Sequence, residues 1–235
     1  SLENSGLLNI IEKEFENKFQ IDIRIVAVGT GQAIINAKNG DSDILMIHSE
    51  EDEINFIEEG YGLARHKIMY NDFIIIGPTH DPVGLRSAHD VVEAMQMLTL
   101  GRAPFLSRGD NSGTHKKELS LWRLAEIEIA KSDKWYLENG LAMGITINMA
   151  SEMDAYTIAD RGTWLSYNNK EYLDILFEKD ELLYNTYGVI VLNPNKFPHI
   201  KYENSMIFIN WLLSNEGKNI INGFKLNGQQ LFFAF

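Results

Sequence analysis

The sequence predicts an α/β protein in which sheets are flanked by helices. Helical segments alternate with short apolar segments along the chain, an order that is typical of α/β proteins. The apolar segments, such as Phe73–Gly77 and Gly188–Leu192, have the length of strands and are too short to cross a bilayer. With 235 residues, 45% of them hydrophobic, the chain can bury one large core or two smaller ones.

The N-terminal part of the chain predicts the first helices and strands. Apolar residues recur at helical spacing from Leu7 to Phe15, and the alternating segment Ile21–Ile25 predicts a strand. A glycine-rich turn, Val28–Ala33, precedes the next helix. Asp43–Ile47 then predicts a buried strand and Glu50–Glu59 a polar helix. This βαβα order favours a parallel sheet covered by helices.

The rest of the chain continues the alternation, without an internal repeat or a low-complexity linker. Further strands are predicted at Phe73–Gly77, Pro104–Leu106, Thr163–Tyr167 and Gly188–Leu192. Further helices are predicted at Ser87–Leu98, Lys116–Ala130, Asp154–Asp160, Asn204–Leu213 and Ser214–Gly223.

Composition excludes several kinds of function. The net charge of −12 argues against nucleic-acid binding, which needs a basic face. The absence of cysteine excludes disulfides and thiolate metal sites, and it fits an oxidising compartment. The six histidines are scattered without a ligand spacing, so we expect no metal-cation site. An anion site in such a chain must create its own positive potential locally.

The segment Ser107–Thr114 carries the strongest chemical signal. A glycine-punctuated turn before a helix exposes backbone N–H groups that suit an anion. Arg108 adds a planar, permanently charged fork that can bind two oxygens at once, and Asp110 is expected to hold that guanidinium in place. Backbone and hydroxyl donors are expected from Ser112, Gly113 and Thr114.

A purely structural interpretation of this segment is also open. Ser112 and its neighbours would then only cap the following helix, and Arg108 would only pair with Asp110 at the surface. Ser49 is likewise better explained as a helix cap than as a ligand residue.

The segment Ser107–Glu118 resembles the signature of the periplasmic tungstate-binding proteins. Its Arg-x-Asp-x-Ser-Gly-Thr core is also similar to that of phosphate-binding proteins. Other segments resemble the tungstate family in the same order along nearly the whole chain, namely Glu3–Leu8, Ala27–Ala33, Met69–Phe73, Asn148–Ser151, Asp160–Thr163 and Tyr187–Ile190. Of the hydroxyl run with which the family begins, only Ser1 is present.

The resemblance implies the two-lobed type II periplasmic binding protein fold, each lobe a sheet flanked by helices, joined by two crossover strands. Lobe one would hold residues 1–72 and 189–235 and lobe two residues 73–188, with the ligand in the cleft between them. The ligand contacts would be Ser1, Thr30, Gly31, Arg108, Ser112, Gly113 and Thr114, supported by Asp110 and Ser107.

The resemblance further implies the substrate-binding component of an ABC importer, with tungstate or molybdate as ligand and no cofactor. Its partners would be the membrane permease and ATPase, and the protein would be a monomer. We expect a periplasmic or cell-surface anchored protein from which a signal peptide has been removed. The segment Ile47–Ser49 lacks the carboxylate that the phosphate family has after its second strand, which favours an unprotonated anion.

Two other functions remain open. One is a receptor for phosphate or another tetrahedral oxyanion. The other is an anion-processing enzyme, in which His115 would pair with Asp72, Asp110 or Glu118. No nucleophile elbow or phosphate-loop lysine accompanies these residues, so catalysis is not expected. An effector domain of a transcriptional regulator would need a DNA-binding module that the chain lacks.

Overall fold

The computed structural model describes residues 2–110, 112–130, 133–168, 170 and 172–235, apart from the side chains of residues 3 and 4. The helices are α1 Leu2–Ser5, α2 Leu7–Phe19, α3 Thr30–Asn39, α4 Glu50–Glu58, α5 Val91–Gly101, α6 Gly113–Leu124, α7 Met143–Glu152, α8 Arg161–Ser166, α9 Tyr202–Leu213 and α10 Asn215–Gly223. The strands are β1 Ile44–Ile47, β2 Gly62–Pro78, β3 Phe105–Ser107, β4 Tyr136–Glu138, β5 Thr157–Asp160, β6 Leu173–Phe177, β7 Tyr184–Leu192, β8 Lys225–Leu226, β9 Gln229–Gln230 and β10 Phe233–Ala234. None of the helices within these ranges is both long and apolar enough to cross a membrane.

The chain forms two compact units. The first contains Ser1–Asn71 and Asn185–Phe235, and the second contains Asp72–Tyr184. The chain leaves the first unit within β2 and returns to it at the start of β7. The return therefore comes earlier in the chain than the predicted lobe boundary after residue 188.

The first unit is built on antiparallel strand pairs. β1 pairs with β7, with Ile44 opposite Val191, and β10 pairs with β2, with Phe233 opposite Tyr70. Helices α3 and α4 contribute Ala37 and Phe56 to the core beneath these strands. The other buried members of this core are Leu45, Ile47, Ile190, Leu192, Phe197 and Ile200.

The second unit contains a core cluster with several buried aromatic side chains. The C-terminal half of β2 pairs antiparallel with β5 and β6, and β3 pairs parallel with β4. Phe105 on β3 packs edge-on against Trp122 of α6, with 5.1 Å between ring centroids, and stacks on Tyr136 of β4 at 5.9 Å. These contacts fix α6 against the β3–β4 pair, and the loop that joins β3 to α6 is therefore held at both ends.

The predicted strand at Ile21–Ile25 is wrong. Residues 20–29 form no strand ladder, and the backbone N–H of Ile23 donates instead to the Glu16 carboxylate at 2.7 Å. Ile25 and Val26 are 37% and 63% exposed, so alternation here does not mark a buried face. Without this strand, the described N-terminal residues contain no βαβ unit. The expected parallel sheet is replaced by antiparallel pairing of β1, β2 and β7 with their described partners.

Two neighbouring predictions in the second unit are also wrong. The predicted helix Asp154–Asp160 contains strand β5, whose residues pair with Phe73–Ile76 of β2. The predicted strand Thr163–Tyr167 is instead mostly helix α8. Asp160 causes this switch, since its carboxylate accepts from the backbone N–H and the hydroxyl of Thr163 at 2.8 and 2.6 Å and so caps the helix.

The strongly periodic helices are confirmed. The N-terminal helix is α2, whose buried face is Leu7, Ile11 and Phe15. The helices predicted at Asn204–Leu213 and Ser214–Gly223 are α9 and α10.

Gly77 on β2 gives a test of core packing in the second unit. A Cβ atom at this position would lie 2.4 Å from the ring of Tyr156 and 2.9 Å from Leu176. We expect Gly77→Ala to lower the free energy of unfolding by about 1–3 kcal/mol, because a packed core accommodates an added methyl group only by straining its neighbours. Urea unfolding followed by tryptophan fluorescence measures the change.

Gly144 on α7 is the matched control, because a Cβ atom there meets nothing within 4 Å. Gly144→Ala should leave stability unchanged or raise it slightly. Equal stability of the Gly77→Ala and Gly144→Ala proteins would contradict the close packing described for β2.

Candidate functional site

The loop between β3 and α6 in the second unit holds most of the predicted ligand residues. We call residues 107–114, without the undescribed residue 111, the donor loop. Its turn depends on Gly109, which has a φ of 57°. A Cβ atom at Gly109 would also lie 2.8 Å from Cβ of Glu138, so both conformation and space require glycine here.

The donor loop ends in the first turn of α6. The hydroxyl of Ser112 caps this helix by accepting from the backbone N–H of His115 at 3.3 Å. The helix therefore begins at Gly113, earlier than the predicted start at Lys116, and it ends at Leu124 instead of Ala130. In the first turn of a helix, the backbone N–H groups come too early to find an acceptor within the helix. Here these groups include those of Gly113 and Thr114. The helix dipole adds partial positive charge at the same place.

Arg108 is held by two protein contacts. One Nη atom pairs with the Asp110 carboxylate, and Nε donates to the backbone carbonyl of Leu141 at 3.2 Å. Its side chain is 16% exposed. Within the described part of the chain, the second Nη atom has no recorded partner, so the guanidinium keeps donor capacity for a ligand.

Asp110 links the guanidinium to the start of the helix. One carboxylate oxygen faces Arg108 and the other accepts from the backbone N–H of Ser112 at 3.1 Å. Partial burial by itself raises the pKa of Asp110, but hydrogen bonds from Ser112 and the charge of Arg108 outweigh it, so the pKa is lowered. Asp110 is therefore a carboxylate at neutral pH, with both oxygens occupied by the donor loop itself.

The donor loop thus contains both features of the structural interpretation, the Ser112 cap and the Arg108–Asp110 pair. Neither of them uses the N–H groups of Gly113 and Thr114, which begin the helix. Gly113 is exposed and has open space around its Cα atom, whereas Thr114 is buried. The segment therefore combines a folded cap with donors that point away from the helix.

The predicted residues of the first unit lie at another helix start. Thr30 and Gly31 are the first two residues of α3, which Gly29 precedes in an extended conformation. Gly31 is exposed and a Cβ atom there would meet nothing within 4 Å. The structure brings together the six predicted residues of the donor loop, and it places Thr30 and Gly31 in the other unit. Ser1 lies outside the described residues.

Three polar side chains of the first unit form a hydrogen-bonded series that the sequence did not indicate. Nδ1 of His48 lies 3.0 Å from the side-chain oxygen of Asn185, whose amide nitrogen donates to Asn71 at 2.7 Å. Burial by the surrounding protein lowers the pKa of His48, although the Asn185 contact works in the other direction. A lone asparagine at the start of the apolar segment Tyr184–Leu192 is the signal that could have shown this series.

Ser49 precedes α4, but its hydroxyl donates to Asp52 at 2.6 Å instead of accepting a backbone N–H of the helix.

The described residues contain no group of three or more histidine, aspartate or glutamate side chains placed to hold a metal ion.

Comparison with known proteins identifies relatives over almost the full chain. Residues 1–216 match the PBP superfamily domain. The tungstate-binding protein TupA of Peptoclostridium acidaminophilum is 45% identical over 94% of this chain and 77% of that protein. The tungstate-binding protein TupA of Campylobacter jejuni is 34% identical over 99% of this chain and 87% of that protein. The solved structure of a tungstate-binding protein from Desulfovibrio alaskensis matches with a TM-score of 0.95 at 41% identity, over 100% of this chain and 95% of that one.

Titration of Asp110 tests the geometry of the donor loop without ligand. We expect its carboxyl to titrate below the ordinary value of 3.8, because Ser112 and Arg108 stabilise the ionised form. Arg108→Ala should raise this pKa toward the ordinary value. The stabilisation from the pair is present at neutral pH and is lost as the pH falls through the lowered pKa. Carbon-detected NMR of the aspartate carboxyl groups measures the shift.

Arg123→Ala, in the last turn of the same helix, is the control and should leave the Asp110 titration unchanged. An Asp110 pKa that stays the same in Arg108→Ala would mean that the two side chains are not paired in solution.

Proposed function

We infer that this chain, which belongs to the tungstate-binding proteins of the PBP superfamily, is the substrate-binding component of an ABC importer and binds tungstate. The donor loop carries this inference. It places a charged guanidinium, a hydroxyl-capped helix start and the N–H groups of Gly113 and Thr114 within one short segment. The protein captures and releases an anion and performs no chemical turnover.

The chemistry of the donor loop suits a fully ionised tetrahedral anion. Tungstate and molybdate carry no proton at neutral pH, so each of their oxygens is only an acceptor. Arg108 can offer two parallel donors to two such oxygens, and the helix start offers neutral donors and partial positive charge. We propose that Thr30 and Gly31 add donors from the first unit. We also propose that Ser1 contacts the anion.

The donor loop suits hydrogen phosphate less well. Hydrogen phosphate brings a proton that needs an acceptor in the site. The only carboxylate described within the donor loop is Asp110, and both of its oxygens already accept from Arg108 and Ser112. The residue after β1 is His48, whose Nδ1 contacts Asn185. These contacts favour tungstate or molybdate over phosphate. Tungstate is preferred over molybdate on the family relationship, because the two ions have the same charge and nearly the same size.

The transport role has consequences for location and partners. We propose that the protein works outside the cytoplasm, after removal of a signal peptide, either in the periplasm or anchored at the cell surface. It would deliver its anion as a monomer to a membrane permease with its ATPase.

Anion selectivity tests the proposed function directly. We expect isothermal titration to give tight binding of tungstate and molybdate and much weaker binding of phosphate, because the loop's one described carboxylate already accepts from Arg108 and Ser112 and is not offered to a ligand proton. Sulfate, which is also unprotonated but smaller, serves as the control for charge alone. Tighter binding of phosphate than of tungstate would overturn the assignment.

Arg108 should dominate the affinity for tungstate. The hydroxyl and N–H donors are neutral and contribute about 0.5–1.5 kcal/mol each, whereas a charged hydrogen bond contributes about 1.5–3 kcal/mol. We expect Arg108→Ala to weaken tungstate binding at least about tenfold, or about 1.4 kcal/mol. The loss should exceed that in Ser112→Ala or Thr114→Ala. Arg108→Lys should restore binding only in part, because an ammonium group cannot make the two-pronged contact.

Arg86→Ala is the matched control, since Arg86 also pairs with an aspartate, Asp174, at 2.8 Å in the second unit. Its affinity for tungstate should equal that of the wild type. If Arg108→Ala binds tungstate as tightly as Arg86→Ala does, then Arg108 is only a structural partner of Asp110.

A further inference from the structure

Behind the donor loop lies a buried carboxylate that the proposed function has not used. Glu118 sits on α6, is only 2% exposed, and is surrounded by three hydrogen-bond donors. One oxygen accepts from the indole N–H of Trp122 at 3.1 Å and from the hydroxyl of Tyr136 at 2.7 Å. The other accepts from the hydroxyl of Ser107 at 2.8 Å.

The three donors around Glu118 suit its ionised form. An indole nitrogen can only donate, so the oxygen that faces Trp122 must be an acceptor. A carboxylate accepts at both oxygens and satisfies all three donors at once. A neutral carboxylic acid would instead carry one proton of its own, and it would have to reverse one of these hydrogen bonds.

The cluster reaches the donor loop through Ser107. Because the Ser107 hydroxyl gives its single proton to Glu118, its oxygen lone pairs face other donors. One of these donors is the backbone N–H of Gly109, at 3.2 Å. Ser107 itself is fully buried, with 0% exposed surface. Donation to Glu118 thus fixes the rotation of the Ser107 hydroxyl and keeps its lone pairs available to the N–H of Gly109.

Two further hydrogen bonds hold the donor loop through its backbone carbonyls. The carbonyls of Ser107 and Arg108 accept from the N–H groups of Asn139 and Gly140 at 3.1 and 2.8 Å. With Gly109 held through Ser107, the peptide units on both sides of Arg108 are fixed. The guanidinium therefore leaves the chain from a backbone that is held before any ligand binds.

We propose that ionised Glu118 is a positioning residue of the anion site, which acts through the Ser107 hydroxyl to hold Gly109 and so the backbone that presents Arg108. The role rests on the proposed function, because it concerns the same donor loop. Glu118 itself does not touch the anion.

The burial of Glu118 indicates that its charge does more than stabilise the fold. Burial raises the pKa of Glu118, and the hydrogen bonds from Tyr136, Ser107 and Trp122 only partly oppose this. A raised pKa means that the ionised form is disfavoured by the fold, so its charge does not contribute to stability at neutral pH. A glutamine would fill the same space without charge. It would, however, turn its NH2 group toward Ser107, because Trp122 requires the oxygen, and the buried Ser107 hydroxyl would then lose the carboxylate oxygen to which it donates.

The test compares Glu118→Gln, Ser107→Ala and the double variant by isothermal titration with tungstate, at a temperature where each ligand-free protein is fully folded. We expect about tenfold weaker binding for Glu118→Gln and a similar loss for Ser107→Ala. The double variant should bind no more weakly than either single variant, since both act through one chain of contacts. Amide hydrogen exchange at Gly109 should become faster in all three proteins. These readouts do not follow from a simple loss of fold stability.

Glu53→Gln is the matched control. Glu53 is also a fully buried carboxylate, but it lies in the first unit and pairs with Arg65, and burial raises its pKa as well. Its substitution should change the melting temperature without changing tungstate affinity. If Glu118→Gln does not fold, Ser107→Ala carries the test, because it leaves the charge in place.

The possible outcomes separate the two claims. Wild-type protein that fails to bind tungstate would refute the proposed function and the Glu118 role together. Tight binding by the wild type and equal affinity in Glu118→Gln, or in Ser107→Ala where Glu118→Gln does not fold, would overturn the Glu118 role alone. Additive losses in the double variant would also overturn it, because Glu118 would then not act through Ser107.

Discussion

The candidate anion site depends on how the Arg108 guanidinium is held at the start of α6. The chain carries a net charge of −12, so positive potential for an anion must come from a few groups at short range. Asp110 joins these groups, because one oxygen faces Arg108 and the other accepts from the N–H of Ser112. The aspartate costs the site part of its positive charge. In return it fixes the direction of the guanidinium.

The rest of the second unit supports this loop from behind. Phe105, Trp122 and Tyr136 pack as one aromatic cluster between β3, β4 and α6. Two members of that cluster also donate hydrogen bonds to Glu118, so the apolar core and the polar support share the same residues. Preorganisation of this kind lowers the conformational entropy that a ligand must remove when it binds.

Buried charge appears a second time where the second unit begins. Arg161 at the start of α8 makes a two-pronged contact with Asp72 of β2, with both distances at 2.6 Å, and a third contact with Glu178 at 2.7 Å. Buried ion pairs of this kind add little net stability, because desolvation offsets their attraction. They do fix geometry, and here they join β2, α8 and the segment after β6. The proposed role of Glu118 in the same unit is also one of positioning rather than of stability.

The sequence alone determined the features that depend on neighbouring residues. The donor loop is one contiguous segment whose turn and helix cap are set by Gly109 and Ser112. The helices α2, α9 and α10 have strong apolar periodicity. Local sequence patterns were therefore sufficient to predict the loop and these helices. Only the tertiary structure decided which segments pair as strands. Ile21–Ile25 alternates but pairs with no strand among the described residues, whereas Thr157–Asp160 pairs with β2 and becomes a strand. The support from Glu118 likewise needs β4 beside β3, and strand pairing between distant segments leaves no local pattern in the sequence.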